Sequence, residues 1–392
     1  MVTEIGGFAK PGFEAVEDAF RANFDVHGDV GAAFCLYVRG EPVADLWGGV
    51  ADVETTRPWD EDTLQLVFST TKGVAAICTH LLAQRGGLDL DAPVAALWPE
   101  FAAGGKDRIT TRDLLSHRAG LPVVDQPITP DEALAWDPIV ERLAAQQPVW
   151  EPGTAHGYHA LTYGWLVGEV VRRATGRSLG QFLADELAGP LGLELWIGLP
   201  ESEEPRVSTL IGSEWSMSAT LGEELLASLP EEIRALVVAF ADPEGVSQRA
   251  LTVTTPPMDW NSRAVHAGEV PAANGIGTAR SLAKLYAACV GEVDGSRILD
   301  PATVEDATCT QSEGADQVLM VETRFGSGFF LPSAFSPLFG TTSFGHAGAG
   351  GSLAFADAEH ELGFAYVMNR MQQNLAGDPR TIALIDAVKR SL

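Results

Sequence analysis

Phe68-Ser69-Thr70-Thr71-Lys72-Gly73-Val74-Ala75-Ala76-Ile77-Cys78-Thr79-His80-Leu81-Leu82-Ala83-Gln84-Arg85-Gly86-Gly87 is the stretch on which the fold turns. From Thr70 to Arg85 the residues Val74, Ala75, Ile77, Cys78, Leu81 and Leu82 run around most of a helical circumference, and Gly86-Gly87 stops them. That pattern predicts a helix buried on all sides, with a glycine terminator. Ser69 opens the helix and Lys72 stands three residues on, so the two side chains share a face and the amine reaches the hydroxyl. A lone lysine in so apolar a helix is costly to bury without a function. The helix dipole also favours a negative charge developing at Ser69.

Outward from this helix, residues 9–26 carry Phe13, Val16, Phe20 and Phe24 at helical spacing, and residues 30–52 read as two strands around a turn at Arg39-Gly40-Glu41-Pro42. Helical patterns then dominate: Asp91 to Leu97, Thr111 to Leu115, Pro130 to Gln146, Leu161 to Thr175, Leu179 to Leu187 and Ser281 to Cys289. Residues 200–271 mix a helical pattern from Leu221 to Phe240 with an extended, proline-rich stretch, and read as an excursion that covers or shapes a pocket. Strand patterns return at Phe325 to Leu331, Thr341 to Phe344, Gly351 to Ala356 and Leu362 to Met368, before a closing helix from Pro379 to Leu392. Strands at both ends with helices between them predict a two-lobed α/β (α+β) protein built on one antiparallel sheet. Residues 1–85 and 295–392 would form the sheet lobe, and residues 86–294 a mainly helical one.

Composition narrows the function. Among 392 residues, 53 acidic side chains face 26 basic ones, a formal charge of −27, and no Lys/Arg cluster interrupts the excess. Such a surface repels phosphate backbones and anionic lipids, which disfavours nucleic-acid and membrane roles. The first residues show no basic cluster followed by an apolar run, so they do not read as a secretory signal, and a cytoplasmic location is expected. Cys35, Cys78, Cys289 and Cys309 are widely separated, without metal-ligand spacing. With no phosphate-binding glycine loop either, no cofactor and no metal are expected.

A serine nucleophile needs a base, and a neighbouring lysine can act directly or through a phenol. Two tyrosines are on offer: Tyr158, in the loop Gly157-Tyr158-His159-Ala160, and Tyr163, inside the following helix, where packing is the plainer reading. His156 and His159 flank Tyr158 and could line the cleft, whereas His117 is read as satisfied by backbone. A third segment, Phe344-Gly345-His346-Ala347-Gly348-Ala349-Gly350-Gly351, is glycine-dense at a strand end, where a substrate can lie against backbone N–H groups. A second Ser-x-x-Lys, Ser281-Leu282-Ala283-Lys284, falls on an amphipathic helix and reads as a solvated face. The Gly-x-Ser-x-Gly pentapeptide of α/β-hydrolases is absent, Thr341-Thr342-Ser343-Phe344-Gly345 being the nearest approach.

In this order and spacing, Ser69-x-x-Lys72, Tyr158-His159-Ala160 and His346-Ala347-Gly348 resemble the three motifs of class C β-lactamases, DD-peptidases and above all the family VIII carboxylesterases. Leu114 to Pro122, the run from Pro152-Gly153 into Tyr158, and Ala273 to Arg280 are similar too, and the likeness extends from about residue 8 to the C-terminus. The resemblance implies a β-lactamase/transpeptidase-like fold and an acyl-enzyme on Ser69. It implies Tyr158, kept partly as phenolate by Lys72, as proton acceptor, and an oxyanion hole from the N–H groups of Ser69 and Ala349. His346, Ala347, Gly348 and His159 are the expected substrate-binding residues. Two departures bear on the substrate: Ala160 stands where the lactamase pattern has an asparagine, and His346-Ala347-Gly348 stands for Lys-Thr-Gly. Short-chain neutral esters, small-molecule substrates of a serine carboxylesterase, therefore fit better than penicillins. A β-lactamase, a DD-peptidase or an acyltransferase on the same fold is the alternative, and a non-catalytic penicillin-binding-like sensor is one from another class. Such a sensor would be expected to have lost Ser69, Lys72 or Tyr158, all of which are present.

Overall fold

The computed structural model describes residues 3–212, 240 and 242–392. Strand β1 (Ile5–Ala9) and helix α1 (Glu14–Val26) lead into β2 (Gly31–Val38) and β3 (Glu41–Asp52), which pair antiparallel. The turn between β2 and β3 sets Arg39 and Gly40 at φ 51° and 79°, the mirror-image hairpin geometry that matches the twist of its strands. The C-terminal strands β4 (Ser343–Ala347), β5 (Leu353–Asp357) and β6 (Leu362–Met368) complete an antiparallel sheet of order β1-β3-β2-β6-β5-β4.

Every residue of β6 is buried, because the sheet is covered on both faces. On one side Val16 and Phe20 of α1, with Leu384, Ile385 and Val388 of the closing helix (Pro379–Ser391), pack on Phe34, Leu46, Phe355 and Phe364. Phe364 lies edge-on to Phe34 at 5.1 Å and stacked on Phe355 at 4.6 Å. Each such ring contributes about 1.5–3 kcal/mol by leaving water. On the other side the helix Ala279–Val290 presses so closely on β6 that a Cβ at Gly363 would collide with the Ala283 carbonyl. That face also receives α2 (Thr70–Gln84), buried without interruption from Thr70 to Leu82. One hydrophobic core runs from Ala354 and Ala365 in the sheet to Trp165 and Val170 in the helix Thr162–Thr175.

Three short strands fix the start of α2. Gln65–Leu66 pairs with Gly275–Gly277, which pairs in turn with Leu195–Ile197, so the chain entering Ser69 is held from behind by residues two hundred positions away. The described parts of the 200–271 excursion include short helices at Val246–Leu251 and Arg263–Ala267, and Trp260, whose ring meets that of Phe68 at 5.2 Å. The helical pattern from Leu221 lies outside the described residues up to Phe240. No described helix is long and apolar enough to cross a membrane.

The structure departs from the sequence reading at several places, among them a helix at Pro301–Thr308 and the four that follow. Strand β1 was not expected, since Gly6-Gly7 argues against a strand, yet pairing with β3 holds it there. The run Phe325 to Leu331 is a strand only over Glu322–Phe325; the chain then turns through Gly328 at φ 90°. The helix expected from Pro130 to Gln146 is two, Pro130–Leu134 and Asp137–Ala145, parted at Trp136, whose φ of 71° is fixed by an indole N–H bond to Glu169 (2.8 Å). Ser281 and Lys284 do not form a solvated face: Ser281 Oγ accepts the Glu194 N–H and the hydroxyl of Thr278, the residue that caps the helix, and Lys284 bonds the Leu191 carbonyl.

Candidate active site

Ser69 is the last residue before α2, and Phe68 before it is held at φ 43°, a conformation that costs a bulky residue on the order of 1–3 kcal/mol. The packing of Phe68 on Trp260 holds it there, and Ser69 is left partly exposed. One turn inward, Lys72 is wholly buried. Its Nζ lies 3.0 Å from Ser69 Oγ, 2.6 Å from the Ala160 carbonyl and 3.0 Å from the Ala272 carbonyl. No carboxylate pairs with it among the described residues, and burial drives its pKa well below the ordinary lysine range. A neutral amine has two hydrogens and one lone pair. In that form, hydrogens on the two carbonyls would leave the lone pair toward the Ser69 hydroxyl.

Tyr158 lies against this amine, its ring centroid 4.8 Å from Nζ. The ring is boxed by Phe325 and Phe330, stacked at 6.3 and 6.1 Å, and tilts against His117 and His346 at 5.0 and 5.9 Å. Burial pushes the phenol up, and the neighbouring Ser69 hydroxyl offsets only part of that. The phenol oxygen is not among the described partners of Lys72 Nζ. Both facts run against a phenolate sustained by Lys72, the form expected from the resemblance. The loop is pinned by Asp316, a buried carboxylate whose Oδ1 accepts the N–H groups of Tyr158 (3.0 Å), Val318 (2.9 Å) and Leu319 (2.8 Å). Tyr163 points elsewhere, its hydroxyl donating to the Lys72 carbonyl at 3.4 Å.

Burial lowers the pKa of His117, His159 and His346, the histidines around Tyr158. His159 was expected to bind substrate, but its Nδ1–H donates to the Gly157 carbonyl (2.7 Å) and its Nε2 accepts the Leu121 N–H (2.9 Å). Both nitrogens are thus engaged in holding the loop, and burial lowers its pKa to about 4. His117 accepts the His159 N–H and packs among rings. His346 sits 4.4 Å from Phe330, donates through Nδ1 to the Ala347 carbonyl and carries a buried Nε2 that has no partner among the described residues. Burial, with Lys72 adding to it, holds its pKa well below the ordinary value.

Strand alternation sends Ala347 to the opposite face of the sheet from His346, into the core beneath α1, so its side chain does not line the cleft. Gly348 is also not a substrate contact through its N–H, which is taken by the Ser352 carbonyl at 2.7 Å. The N–H groups of Ser69 and Ala349, by contrast, have no acceptor among the described residues, and both residues are partly exposed.

Fold and site together define a class, and the chain belongs to it: the beta-lactamase family, whose model matches residues 16–388. The fold is the β-lactamase/transpeptidase-like one. Over 372 residues, 94% of this chain and 83% of the relative, it is 35% identical to Esterase/beta-lactamase LipL of Mycobacterium tuberculosis. A crystal structure of a family VIII carboxylesterase is 41% identical with a TM-score of 0.86, covering 99% of this chain and 100% of that one. A penicillin-binding protein homolog from Caulobacter crescentus is 39% identical, also at a TM-score of 0.86, covering the same shares.

Proposed function

We propose that this protein is a serine carboxylesterase that cleaves short-chain neutral esters through an acyl-enzyme on Ser69. The observation that carries the reading is Lys72: fully buried, with no carboxylate partner among the described residues, its nitrogen 3.0 Å from Ser69 Oγ and within hydrogen-bond distance of the Ala160 and Ala272 carbonyls. A buried amine in that setting is a general base for the hydroxyl it faces. Ser69 Oγ attacks the ester carbonyl as its proton passes to Lys72, and the oxyanion takes the N–H groups of Ser69 and Ala349. Collapse expels the alcohol, which takes a proton from the neutral Tyr158 phenol; the Lys72 ammonium, which lies against that ring without a hydrogen bond to its oxygen in this structure, restores the phenol once the two tighten in the reacting complex. Water then attacks the acyl group along the same relay, and Ser69 recovers its proton.

The neutral His346 and the side chain of Ala160 supply neither a fixed positive charge nor an amide for a β-lactam, which supports uncharged esters as substrates. The esterase named among the relatives supports the same reaction class. A panel of p-nitrophenyl esters, nitrocefin and D-Ala-D-Ala peptides tests this on wild type, Ser69→Ala and Ser281→Ala. Turnover of p-nitrophenyl butyrate should vanish in Ser69→Ala, persist in Ser281→Ala and far exceed that of nitrocefin. A folded Ser69→Ala protein with wild-type rates would sink the assignment.

A further inference from the structure

If Ser69 and Ala349 share an oxyanion, two segments 280 positions apart must aim their N–H groups at one point, and something must set that aim. Ser352 connects them. Its side chain is buried, and its Oγ donates to the Val67 carbonyl at 2.8 Å, which forces the direction of the next bond: Thr70 Oγ1, 3.1 Å away, donates to Ser352 Oγ. The hydroxyl chain Thr70 to Ser352 to Val67 therefore grips the strand-to-helix bend on both sides of Phe68-Ser69. Through its own carbonyl, Ser352 accepts the Gly348 N–H at 2.7 Å and closes the turn that carries Ala349.

The turn lies directly on this strut. A Cβ at Gly348 would collide with the Val67 carbonyl oxygen and with Ser352 Oγ, so glycine is needed there for contact between the two segments. From behind, the Gly350 carbonyl accepts from buried Arg380 (2.5 Å) and from the Gln372 N–H (3.0 Å), while the Gly350 N–H reaches the Asn374 carbonyl (3.1 Å) and the Gly351 N–H that of Gly348 (3.2 Å). Arg380 is held in turn by Asp29 and Asp378, each at 2.8 Å. Of the four N–H groups from Gly348 to Gly351, three have backbone acceptors, and Ala349's is the one left over.

We infer that Ser352 is a positioning residue for the oxyanion hole, acting with Thr70 as a hydroxyl strut that fixes the spacing of the Ser69 and Ala349 N–H groups. The inference rests on the esterase reading and deepens it. Losing one oxyanion donor outright costs about 10²–10³ in kcat. Loosening the aim of two costs less, so Ser352→Ala and Thr70→Val should each lower kcat for p-nitrophenyl butyrate about 10- to 100-fold with KM within about threefold. An alkylboronic acid, which becomes tetrahedral on the serine, should lose affinity in proportion to kcat/KM, which a purely structural lesion would not produce per titrated site. Thr70→Ser, which keeps the hydroxyl, should restore both readouts, and the double variant should lose little more than either single one. Should Ser352→Ala fail to fold, Thr70→Val against Thr70→Ser carries the same test. Wild-type kcat and boronate affinity in Thr70→Val and any folded Ser352→Ala would overturn the strut, while turnover surviving in Ser69→Ala would overturn the esterase reading instead.

Discussion

Removing the hydroxyl of Tyr158 separates two ways of running this site. In Tyr158→Phe the ring keeps its places between Phe325 and Phe330 and over Lys72, so packing barely changes and the lost oxygen reports on proton transfer. General acid–base groups contribute about 10²–10⁴ in rate. At about 1.36 kcal/mol per decade this is roughly 2.7–5.4 kcal/mol of transition-state stabilisation, expected in kcat. The pH profile then assigns the base. Burial lowers Lys72 and raises Tyr158, so the amine loses its proton at lower pH than the phenol does. Only unprotonated Lys72 can take the Ser69 proton. The value of kcat/KM should therefore rise tenfold per pH unit below the Lys72 pKa and level off above it, with that limb well under the ordinary lysine value of about 10.4. The assay is p-nitrophenyl butyrate hydrolysis, read where phenol and phenolate absorb equally. Tyr158→Phe should lower the whole curve and leave the limb in place, and Tyr163→Phe should stay within a few-fold of wild type. A limb that vanishes with the Tyr158 hydroxyl would refute the neutral-lysine mechanism and restore the phenolate one.

Two other perturbations follow from the same environment. Asp316→Ala strands three N–H groups, those of Tyr158, Val318 and Leu319, at a cost of roughly 1–3 kcal/mol for each that water does not reach, whereas Asp316→Asn keeps the accepting oxygen. Thermal unfolding should show a large loss for alanine and a small one for asparagine, and kcat should follow the same order. Lys72→Met should abolish ester turnover and flatten the pH dependence of stability. The unfolded chain holds the Lys72 proton up to about pH 10.4 while the folded protein releases it earlier, so wild type gains stability relative to Lys72→Met as pH rises through that window. Denaturant midpoints of both proteins across that range would check it, and parallel curves would contradict it.

Most of the central sheet and α2 were legible because these elements carry their signals locally. The Arg39-Gly40 turn between alternating runs specified β2 and β3, and the apolar circumference of Thr70 to Leu82 specified α2, whatever their partners. The elements that escaped are those whose conformation is set from elsewhere in the chain. Strand β1 exists because β3 offers an edge, and the break at Trp136 exists because Glu169 holds the indole. Neither partner is visible from the residues themselves.

The site divides along the same line. Ser69, Lys72 and Tyr158 announced themselves as candidates by side-chain type and spacing, but much of what surrounds and orients them is backbone. Lys72 is lowered by burial and oriented by the carbonyls of Ala160 and Ala272, and no side chain at those positions encodes an acceptor. The nearest trace is Asn274, flagged only as part of a similar stretch, whose amide bonds the Val265 and Gly268 carbonyls and the Val270 N–H, and so fixes the loop that delivers Ala272. The same logic applies to His159 and Gly348. A histidine beside a motif tyrosine and a glycine inside a motif look like substrate contacts in one dimension. In three dimensions the histidine ties Gly157 to Leu121, and the glycine makes room for Ser352 against Val67. A motif thus marks where a site is, and the division of labour within it is settled by which polar atoms the fold leaves without partners. Among the described residues of the site those are His346 Nε2 and the N–H groups of Ser69 and Ala349, the last two being the donors an ester's oxyanion would meet.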